Sequence, residues 1–318
     1  MGALYLTESD VDRLIDVPTA IDVVEEAFRQ MAAGEASNVP RVRARGSGIV
    51  LHTLSASADY LRLVGLKAYT TTREGARFLV NLFDSATGEL LAIIEADRLG
   101  QLRTGAASGV AAEWLASPHA AEMGLFGTGR QARTQLAALA VARPIRRVFV
   151  YSRSEQRRTS FAATMSSQLQ IEIVPVDRPQ EAVEDLPIVV TATTSPKPLF
   201  DGAWLDEGAL VCAIGSNWLN RAEIDSATVR RADNIVCDSV DACRNEAGDF
   251  VEAIEKGNFN WQRAVDLAGV VSGKSIGRSR NESVVVFKSV GLAIEDVALG
   301  GKVLELARQA GLGTPLPF

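Results

Sequence analysis

A glycine-rich turn lies near the middle of the chain, where Gly127, Gly129 and Ala132 follow at the spacing G-x-G-x-x-A. The apolar run Met123–Phe126 before the turn predicts a strand, and the apolar spacing after it predicts a helix that ends near Pro144. Strand, glycine turn and helix together bind a dinucleotide pyrophosphate, because the backbone of the turn can approach phosphates at the positive end of the helix. The alternative is an ordinary strand-to-helix turn without a ligand.

The residues after the next strand bear on which dinucleotide would bind. An acidic residue at this position accepts a hydrogen bond from the ribose 2′-hydroxyl and selects NAD, whereas arginine accommodates the 2′-phosphate of NADP. The sequence has Ser152 and Arg153 there, and Arg157 and Arg158 follow closely. This pattern favours NADP(H). The alternative is that Glu155 or backbone groups hold NAD(H).

Basic residues upstream of the turn could bind the acidic part of a small molecule. Arg41 and Arg43 alternate along a run that predicts an edge strand, where the alternative is a solvated face. Lys67 stands between apolar neighbours in a predicted strand and is either solvent-facing or buried with a chemical task. Arg103 and Thr104 are predicted in the first turn of a helix, where side chains and the helix end could hold an anion.

Length and composition indicate a two-domain globular protein. The chain has 318 residues, of which 47% are hydrophobic and 23% charged, and two domains are expected at that length. The net charge of −6 argues against nucleic acid or an anionic membrane surface as the main partner. No apolar run is long enough to span a bilayer, and the first residues lack the features of a signal peptide, so we expect a cytoplasmic location.

The few cysteines and histidines exclude several kinds of site. Cys212 and Cys237 lie in apolar strand-like runs and are predicted as buried thiols, which fits a reducing compartment. The two histidines, His52 and His119, stand far apart, so neither a histidine-rich zinc site nor a Ser-His-Asp triad is expected. We therefore predict no metal site and a structural role for His52.

The order of apolar runs predicts an α/β protein. Residues 49–94 show the pattern of successive β-strands. After the glycine turn, strands alternate with helices as far as Cys237, which predicts a parallel sheet with ligands at the carboxyl ends of its strands. A final helix is predicted over Ser289–Gln309, with a break around Gly300 and Gly301.

Six motifs together resemble the ornithine cyclodeaminase/mu-crystallin family, and they occur in family order along nearly the whole chain. The motifs are Pro40-Arg41, Gly65-Leu66-Lys67, Leu102-Arg103-Thr104-Gly105-Ala106-Ala107, Gly127-Thr128-Gly129-Arg130-Gln131-Ala132, Ile214-Gly215-Ser216-Asn217 with Glu223, and Phe287-Lys288-Ser289-Val290-Gly291-Leu292. The resemblance implies a Rossmann-type doubly wound parallel sheet in residues 116–289, which would bind NAD(P). It also implies a second α/β domain, built from residues 1–115 and 290–318, that binds the substrate and forms a homodimer.

The resemblance further implies roles for individual residues. Arg41 and Lys67 would hold the carboxylate of the substrate, and Arg43 competes with Arg41 for that role. Arg103 would lie close to both substrate and nicotinamide, and Val290 would touch the substrate. With the residues argued above, the predicted cofactor contacts are Thr104, Gly127, Thr128, Gly129, Arg130, Gln131, Ser152, Arg153, Thr193, Ile214 and Ser289.

One departure from the family pattern separates the activities that the resemblance implies. Where cyclodeaminases place an aspartate as proton acceptor, this chain has Asn217, and an amide cannot act as a base. Reduction of a protonated imine needs only a carboxylate clamp, a hydride donor and a proton source, for which Lys67 is the candidate. The predicted function is therefore an NAD(P)-dependent oxidoreductase acting on the C–N bond of a small amino or imino acid, with Lys67, Arg103 and Asn217 as catalytic residues. It would be an imine or ketimine reductase or an amino-acid dehydrogenase, such as an alanine dehydrogenase.

Two other functions stay open at the level of sequence. The first is an ornithine or lysine cyclodeaminase that retains NAD and releases ammonia. The second is a binding protein for NADP or another ligand without turnover, as a crystallin-like role would imply. The presence of Lys67 and Arg103 argues against the second.

Overall fold

The computed structural model describes residues 2–317, which divide into two compact units. The first unit joins the chain up to Ala106 with the chain from Gly291 onward, and the second comprises Ala107–Val290. The boundaries predicted from the sequence lie at 115/116 and 289/290. The first observed boundary therefore lies earlier, inside a helix.

The elements of the chain follow from its apolar runs and their caps. The strands are β1 (Leu4–Leu6), β2 (Ala36–Gly46), β3 (Ile49–Ala58), β4 (Leu63–Thr71), β5 (Ala76–Asp84), β6 (Leu90–Glu95), β7 (Glu122–Phe126), β8 (Arg147–Tyr151), β9 (Glu172–Pro175), β10 (Ile188–Thr191), β11 (Leu210–Ala213), β12 (Asn234–Cys237), β13 (Ala264–Asp266), β14 (Val285–Lys288) and β15 (Thr314–Pro315). The α-helices are α1 (Glu8–Leu14), α2 (Val17–Ala33), α3 (Asp97–Leu115), α4 (Arg130–Ala142), α5 (Glu155–Leu169), α6 (Ser226–Arg231), α7 (Val240–Glu246), α8 (Val251–Glu255), α9 (Leu267–Val271) and α10 (Ala293–Ala310).

The first unit is built on a seven-stranded sheet in the order β15-β1-β6-β5-β4-β3-β2. Only β1 and β6 run parallel among these neighbours, and β2 lies at the edge, as predicted. Side chains alternate between the two faces of a strand, and Leu54 and Val80 point to the buried face, against which α10 packs. At Gly65 a Cβ atom would come within 2.9 Å of Val297 Cγ2, so this glycine permits the close approach of α10.

Helix α10 differs from its prediction in two respects. It begins at Ala293 rather than Ser289, because the preceding residues form β14 and the segment after it. It also continues through Gly300 and Gly301 without a break. A Cβ at Gly301 would lie 2.6 Å from Leu63 Cδ1, so the glycines serve close packing on the sheet rather than an interruption of the helix.

The second unit is a parallel eight-stranded sheet in the order β13-β12-β14-β11-β10-β7-β8-β9. The chain leaves β7 toward β8 and β9 and later returns on the other side of β7 with β10. That reversal is the topological switch point at which doubly wound sheets bind ligands. The α/β prediction with a Rossmann-type parallel sheet and a second, separate sheet is confirmed.

Two strands of this sheet are absent from the sequence prediction. β13 is only three residues long, and its apolar signal is correspondingly weak. β14 was predicted to lead into the final helix, yet it pairs with both β11 and β12 near the middle of the sheet. The residues of β14 are all buried, including Lys288. Because lysine is rarely buried, its presence did not indicate a central strand in the sequence.

The cysteine side chains lie inside the second unit. Cys212 and Cys237 are buried, as predicted, and so is Cys243. Burial raises the pKa of the Cys212 thiol to about 12. Within residues 2–317, no helix combines the length and apolarity needed to cross a membrane. The same residues contain no cluster of histidine, cysteine and carboxylate side chains arranged to hold a metal ion.

Candidate active site

The glycine turn connects β7 to α4 through backbone geometry that few residues could adopt. Gly127 has a φ of +113°, and a Cβ there would lie 2.5 Å from the Ala192 carbonyl oxygen, so only glycine fits. Gly129 caps the N-terminus of α4, and a Cβ on it would meet open space. Thr128 is half-buried and Arg130 is exposed at this helix end. The open cradle at a helix N-terminus fits a dinucleotide pyrophosphate.

Three further predicted cofactor residues, and the predicted catalytic residue Asn217, follow strands near the switch point. Thr193 comes after β10, Ile214 and Asn217 come after β11, and Ser289 comes after β14. All four lie at the carboxyl ends of parallel strands, where such sheets bind ligands. The side chains of Thr193, Ile214 and Asn217 are half-buried, and Ser289 is buried. Val290 is also buried, and its backbone N–H donates to Asp238.

The basic residues that follow β8 differ in their exposure and in their partners. Arg153 and Arg157 are exposed, and Ser152 is half-buried. Arg158 is buried, donates to the Ser152 carbonyl oxygen over 3.1 Å and forms an ion pair with Asp177. Because Arg158 supports the backbone of Ser152 and already has a carboxylate partner, we drop it from the candidates for contact with a 2′-phosphate.

The first unit brings the predicted cations together around two carboxylates of α10 that the sequence analysis missed. Lys67 Nζ lies 2.8 Å from Asp296 Oδ1. Arg103 bridges both acids, with Nη1 at 2.7 Å from Glu295 Oε2 and Nε at 3.2 Å from Asp296 Oδ1. Arg41 Nη2 donates to the Gly291 carbonyl oxygen over 3.3 Å, at the start of the same segment. We call Arg41, Lys67, Arg103, Glu295 and Asp296 the clamp cluster.

The clamp cluster is buried. Its cations are 3–8% exposed, and both carboxylates are fully buried. Three basic side chains gathered in a buried site could bind an anionic group such as a carboxylate, because charge-assisted hydrogen bonds are stronger than neutral ones.

Two glycines leave space for the side chains of Lys67 and Arg103. A Cβ at Gly100 would lie 2.8 Å from Lys67 Nζ, and a Cβ at Gly291 would lie 2.4 Å from Arg103 Nη1. Gly291 also has a φ of +82°, which favours glycine independently of the space. The lysine and the arginine therefore occupy room that any larger residue at these two positions would take.

The surroundings of Lys67 shift the pKa of its ammonium group. Burial lowers the pKa of its ammonium group to about 8, and the nearby charge of Arg103 acts in the same direction. The Asp296 carboxylate opposes this shift. A lysine with such a pKa is protonated at neutral pH and can still release its proton readily, which suits a general acid or base.

The prediction that Arg103 and Thr104 lie in the first turn of a helix is wrong. Helix α3 begins at Asp97, so both residues stand in its second turn. Thr104 Oγ1 donates to the Gly100 carbonyl oxygen over 2.7 Å, within the helix. Arg103 could therefore bind an anion through its guanidinium alone, without help from the helix end.

The neighbouring arginine and histidine on β2 and β3 are placed differently from the clamp. Arg43 is half-buried, whereas Arg41 is 8% exposed and belongs to the clamp cluster. His52 stacks on Tyr69 with 4.1 Å between ring centroids, and its Nε2 lies 3.1 Å from Thr71 Oγ1. Burial, with Arg43 nearby, lowers the pKa of His52 to about 4, so the ring is neutral at physiological pH.

Sequence comparison and fold comparison identify the family. The parallel sheet with its glycine turn places the chain among the Rossmann-type α/β proteins. The chain belongs to the ornithine cyclodeaminase/mu-crystallin family, which its residues 2–311 match. The resemblance drawn from the six motifs is thereby confirmed.

Relatives of the chain span its whole length. Delta(1)-pyrroline-2-carboxylate reductase of Bacillus cereus is 28% identical over 99% of this chain and 100% of its own length. Alanine dehydrogenase of Archaeoglobus fulgidus is 31% identical over 100% of this chain and 99% of its own length. The structure of Thermococcus litoralis Delta(1)-pyrroline-2-carboxylate reductase in complex with NADH and L-proline has a TM-score of 0.94 at 33% identity, covering 98% of this chain and 100% of that chain.

Proposed function

We propose that this protein is an NAD(P)-dependent oxidoreductase that acts on the C–N bond of a small amino or imino acid. The observation that carries the proposal is the clamp cluster, in which three buried basic side chains, Arg41, Lys67 and Arg103, lie together beside the start of α10. Basic side chains gathered in this way are suited to bind the carboxylate of a substrate. The relatives named for pyrroline-2-carboxylate and for alanine, both carboxylates, support this choice.

The residues of each unit have distinct tasks in this proposal. Arg41 and Arg103 bind and orient the substrate carboxylate, which supplies rate through positioning. Lys67 gives a proton to the substrate nitrogen, or relays one, as the C–N double bond is reduced. The glycine turn holds the pyrophosphate, while Thr193 lines the cofactor. When bound, the nicotinamide cofactor supplies the hydride for the imine carbon.

A substrate panel tests the proposal against its alternatives. The purified protein is given Delta(1)-pyrroline-2-carboxylate, or pyruvate with ammonium, together with NADH or NADPH, and the nicotinamide absorbance is followed. The expected result is oxidation of the cofactor with at least one imine. Release of ammonia from L-ornithine or L-lysine without added cofactor would instead favour a cyclodeaminase, against which Asn217 argues. Tight binding without any turnover would favour the non-catalytic alternative.

Exchange of Arg153 for aspartate should reverse the preference between the two dinucleotides. We propose that NADP(H) is preferred, because Arg153 is exposed beyond the end of β8 and no carboxylate precedes it there. Loss of one charge-assisted contact should weaken NADPH binding about 10–100-fold, and the new carboxylate should improve NADH binding. Titration of both cofactors by protein fluorescence measures this. Arg146→Asp, at the other end of β8, is the matched control. An unchanged preference in R153D would contradict the NADP assignment.

A homodimer through the first unit is the assembly we propose. Val42, Leu51, Val64 and Leu79 are 63%, 40%, 39% and 40% exposed on the sheet face opposite to Leu54 and its buried neighbours. Apolar residues so exposed on adjacent strands are typical of a surface that a second sheet covers.

Charges placed on that face should separate the dimer into monomers. In V64E/L79E, like charges would face each other across the two-fold axis in an apolar environment, which opposes association. Sedimentation or light scattering should then give about half the wild-type mass. Val141→Glu, on exposed α4 of the other unit, should leave the mass unchanged. A wild-type monomer, or a dimeric double variant, would rule out this interface.

We also propose the cytoplasm as the compartment of this protein. Cys212, Cys237 and Cys243 are all free and buried. Three unpaired thiols are usual in a reducing compartment, whereas secreted proteins tend to pair their cysteines.

A further inference from the structure

A single buried carboxylate joins the two loops that follow β10 and β11. Glu223 Oε1 accepts from the Thr193 backbone N–H over 2.7 Å and from Thr193 Oγ1 over 2.6 Å. Glu223 Oε2 accepts from the Gly215 backbone N–H over 2.6 Å and from Thr191 Oγ1 over 2.8 Å. One oxygen thus holds the loop with Thr193, and the other holds the loop that begins at Gly215.

Glu223 packs so closely against these loops that a larger residue at Gly215 would not fit. A Cβ at Gly215 would lie 2.4 Å from Glu223 Oε1 and 2.3 Å from the Thr193 carbonyl oxygen. Glu223 itself is fully buried. The glycine therefore permits the loops to touch, and the carboxylate occupies the space between them.

A second buried acid and a buried lysine hold Glu223 in turn. Asp249 Oδ1 accepts from the backbone N–H of Glu223 over 2.7 Å and of Ile224 over 3.2 Å. Its other oxygen forms an ion pair with Lys288 Nζ at 2.8 Å, and the lysine also donates to the Ser216 carbonyl oxygen over 2.8 Å. Lys288 and Asp249 are 0% and 2% exposed, so the pair is a rigid, dehydrated support. It connects β14 to the same 215–217 loop.

Only an acceptor with two free oxygens satisfies this arrangement. Both backbone groups that reach Glu223, at Thr193 and Gly215, are N–H donors and cannot reverse their direction. Glutamine would point its NH₂ group at one of these N–H donors and leave two buried donors opposed. Burial raises the pKa of Glu223, and the hydrogen bonds from Thr193 and the charge of Lys288 oppose that rise.

We propose that Glu223 is a positioning residue for the cofactor site of this protein. Its carboxylate, supported by the Asp249–Lys288 pair, fixes the Thr193 loop and the loop that carries Asn217 relative to each other. The inference rests on the proposed function, which places both of these residues at the bound dinucleotide or the substrate. Glu223 contacts neither directly and acts through the two loops.

Glu223→Gln tests this inference at the two amides themselves. Hydrogen–deuterium exchange should rise about tenfold or more at one of the Thr193 and Gly215 amides, because that amide meets the NH₂ group of the glutamine in place of an acceptor. The Kd for the preferred nicotinamide cofactor, measured by calorimetry, should rise about tenfold. Glu246→Gln, a buried glutamate of α7 in the same unit, is the matched control and should change neither quantity at these sites.

The outcomes distinguish a failure of the proposed role of Glu223 from a failure of the proposed function. If folded E223Q protects both amides like the wild type, the shared-acceptor role is wrong. If E223Q does not fold, Glu223→Asp replaces it, since it keeps the charge but is one methylene too short to reach both loops. E223D should also expose at least one of the two amides. A wild-type protein that binds no dinucleotide and reduces no imine overturns the proposed function instead, and the exchange data then still decide whether Glu223 couples the loops.

Discussion

Replacement of Lys67 by methionine should lower kcat/KM for imine reduction about 10²–10⁴-fold, which is the usual contribution of a positioned general acid. Methionine keeps much of the length and apolar volume of the lysine stem. Arg103 stays paired with both Glu295 and Asp296, so neither buried acid is left without a cationic partner. The fold should therefore persist, with a circular dichroism spectrum like that of the wild type.

The pH dependence separates a proton-donating lysine from one that only packs. Since burial lowers the pKa of Lys67 to about 8 from 10.5, reduction should slow as the pH rises through about 8, and oxidation of the amino acid should quicken. Between these two values the unfolded chain binds the proton that the folded protein releases. The contribution of Lys67 to stability therefore increases with pH across that window.

K67M should lose the change of rate near pH 8, and it should also lose the contribution of Lys67 to stability that increases with pH between about 8 and 10.5. Lys302→Met is the matched control, because Lys302 lies on α10 with a half-buried side chain that pairs with Glu305 at the surface. Rates within about threefold of wild type in K67M, with the alkaline limb preserved, would exclude Lys67 as the proton donor.

The sequence was most informative where chemistry depends on local spacing. The glycine turn, its strand and its helix were predictable because Gly127 and Gly129 act within a few residues of each other, and the structure gives them the required geometry. The same holds for the parallel sheet, whose short apolar strands alternate with helices. The family motifs extended this local information to the first unit.

The carboxylate partners of the clamp cations could not be predicted from the sequence, for a physical reason. Lys67 and Asp296 are 229 positions apart, and nothing in either neighbourhood shows that one packs on the other. Glu295 and Asp296 fell inside the helix predicted from Ser289, and only the structure places them in the first turn of α10, where acids also complement the helix dipole. Their position at the start of an otherwise apolar helix was the one available signal, since acids inside an apolar surface need cationic partners.

Asp296→Asn should cost about 3–5 kcal/mol of stability, the second large effect we expect, because it breaks a buried ion pair and leaves an uncompensated cation. Asp296 is fully buried and is the only carboxylate of the clamp cluster that pairs with both Lys67 and Arg103. Its neutralisation removes the carboxylate that pairs with Lys67 and one of the two carboxylates that pair with Arg103. Urea unfolding measures the loss. Glu305→Gln on the same helix breaks only an exposed pair and should change stability by less than about 1 kcal/mol.

The double variant K67M/D296N distinguishes a broken pair from a damaged helix. If the cost of D296N arises from the unpaired ammonium, removal of that ammonium should restore about 2 kcal/mol or more, which a double-mutant cycle reports as coupling. In D296N itself the pKa of Lys67 should fall below about 8, because the acid that raises it is gone, and the rate of reduction should then begin to fall at lower pH. Additive losses in the cycle, together with an unmoved pH profile, would show that Asp296 stabilises the helix without acting on Lys67.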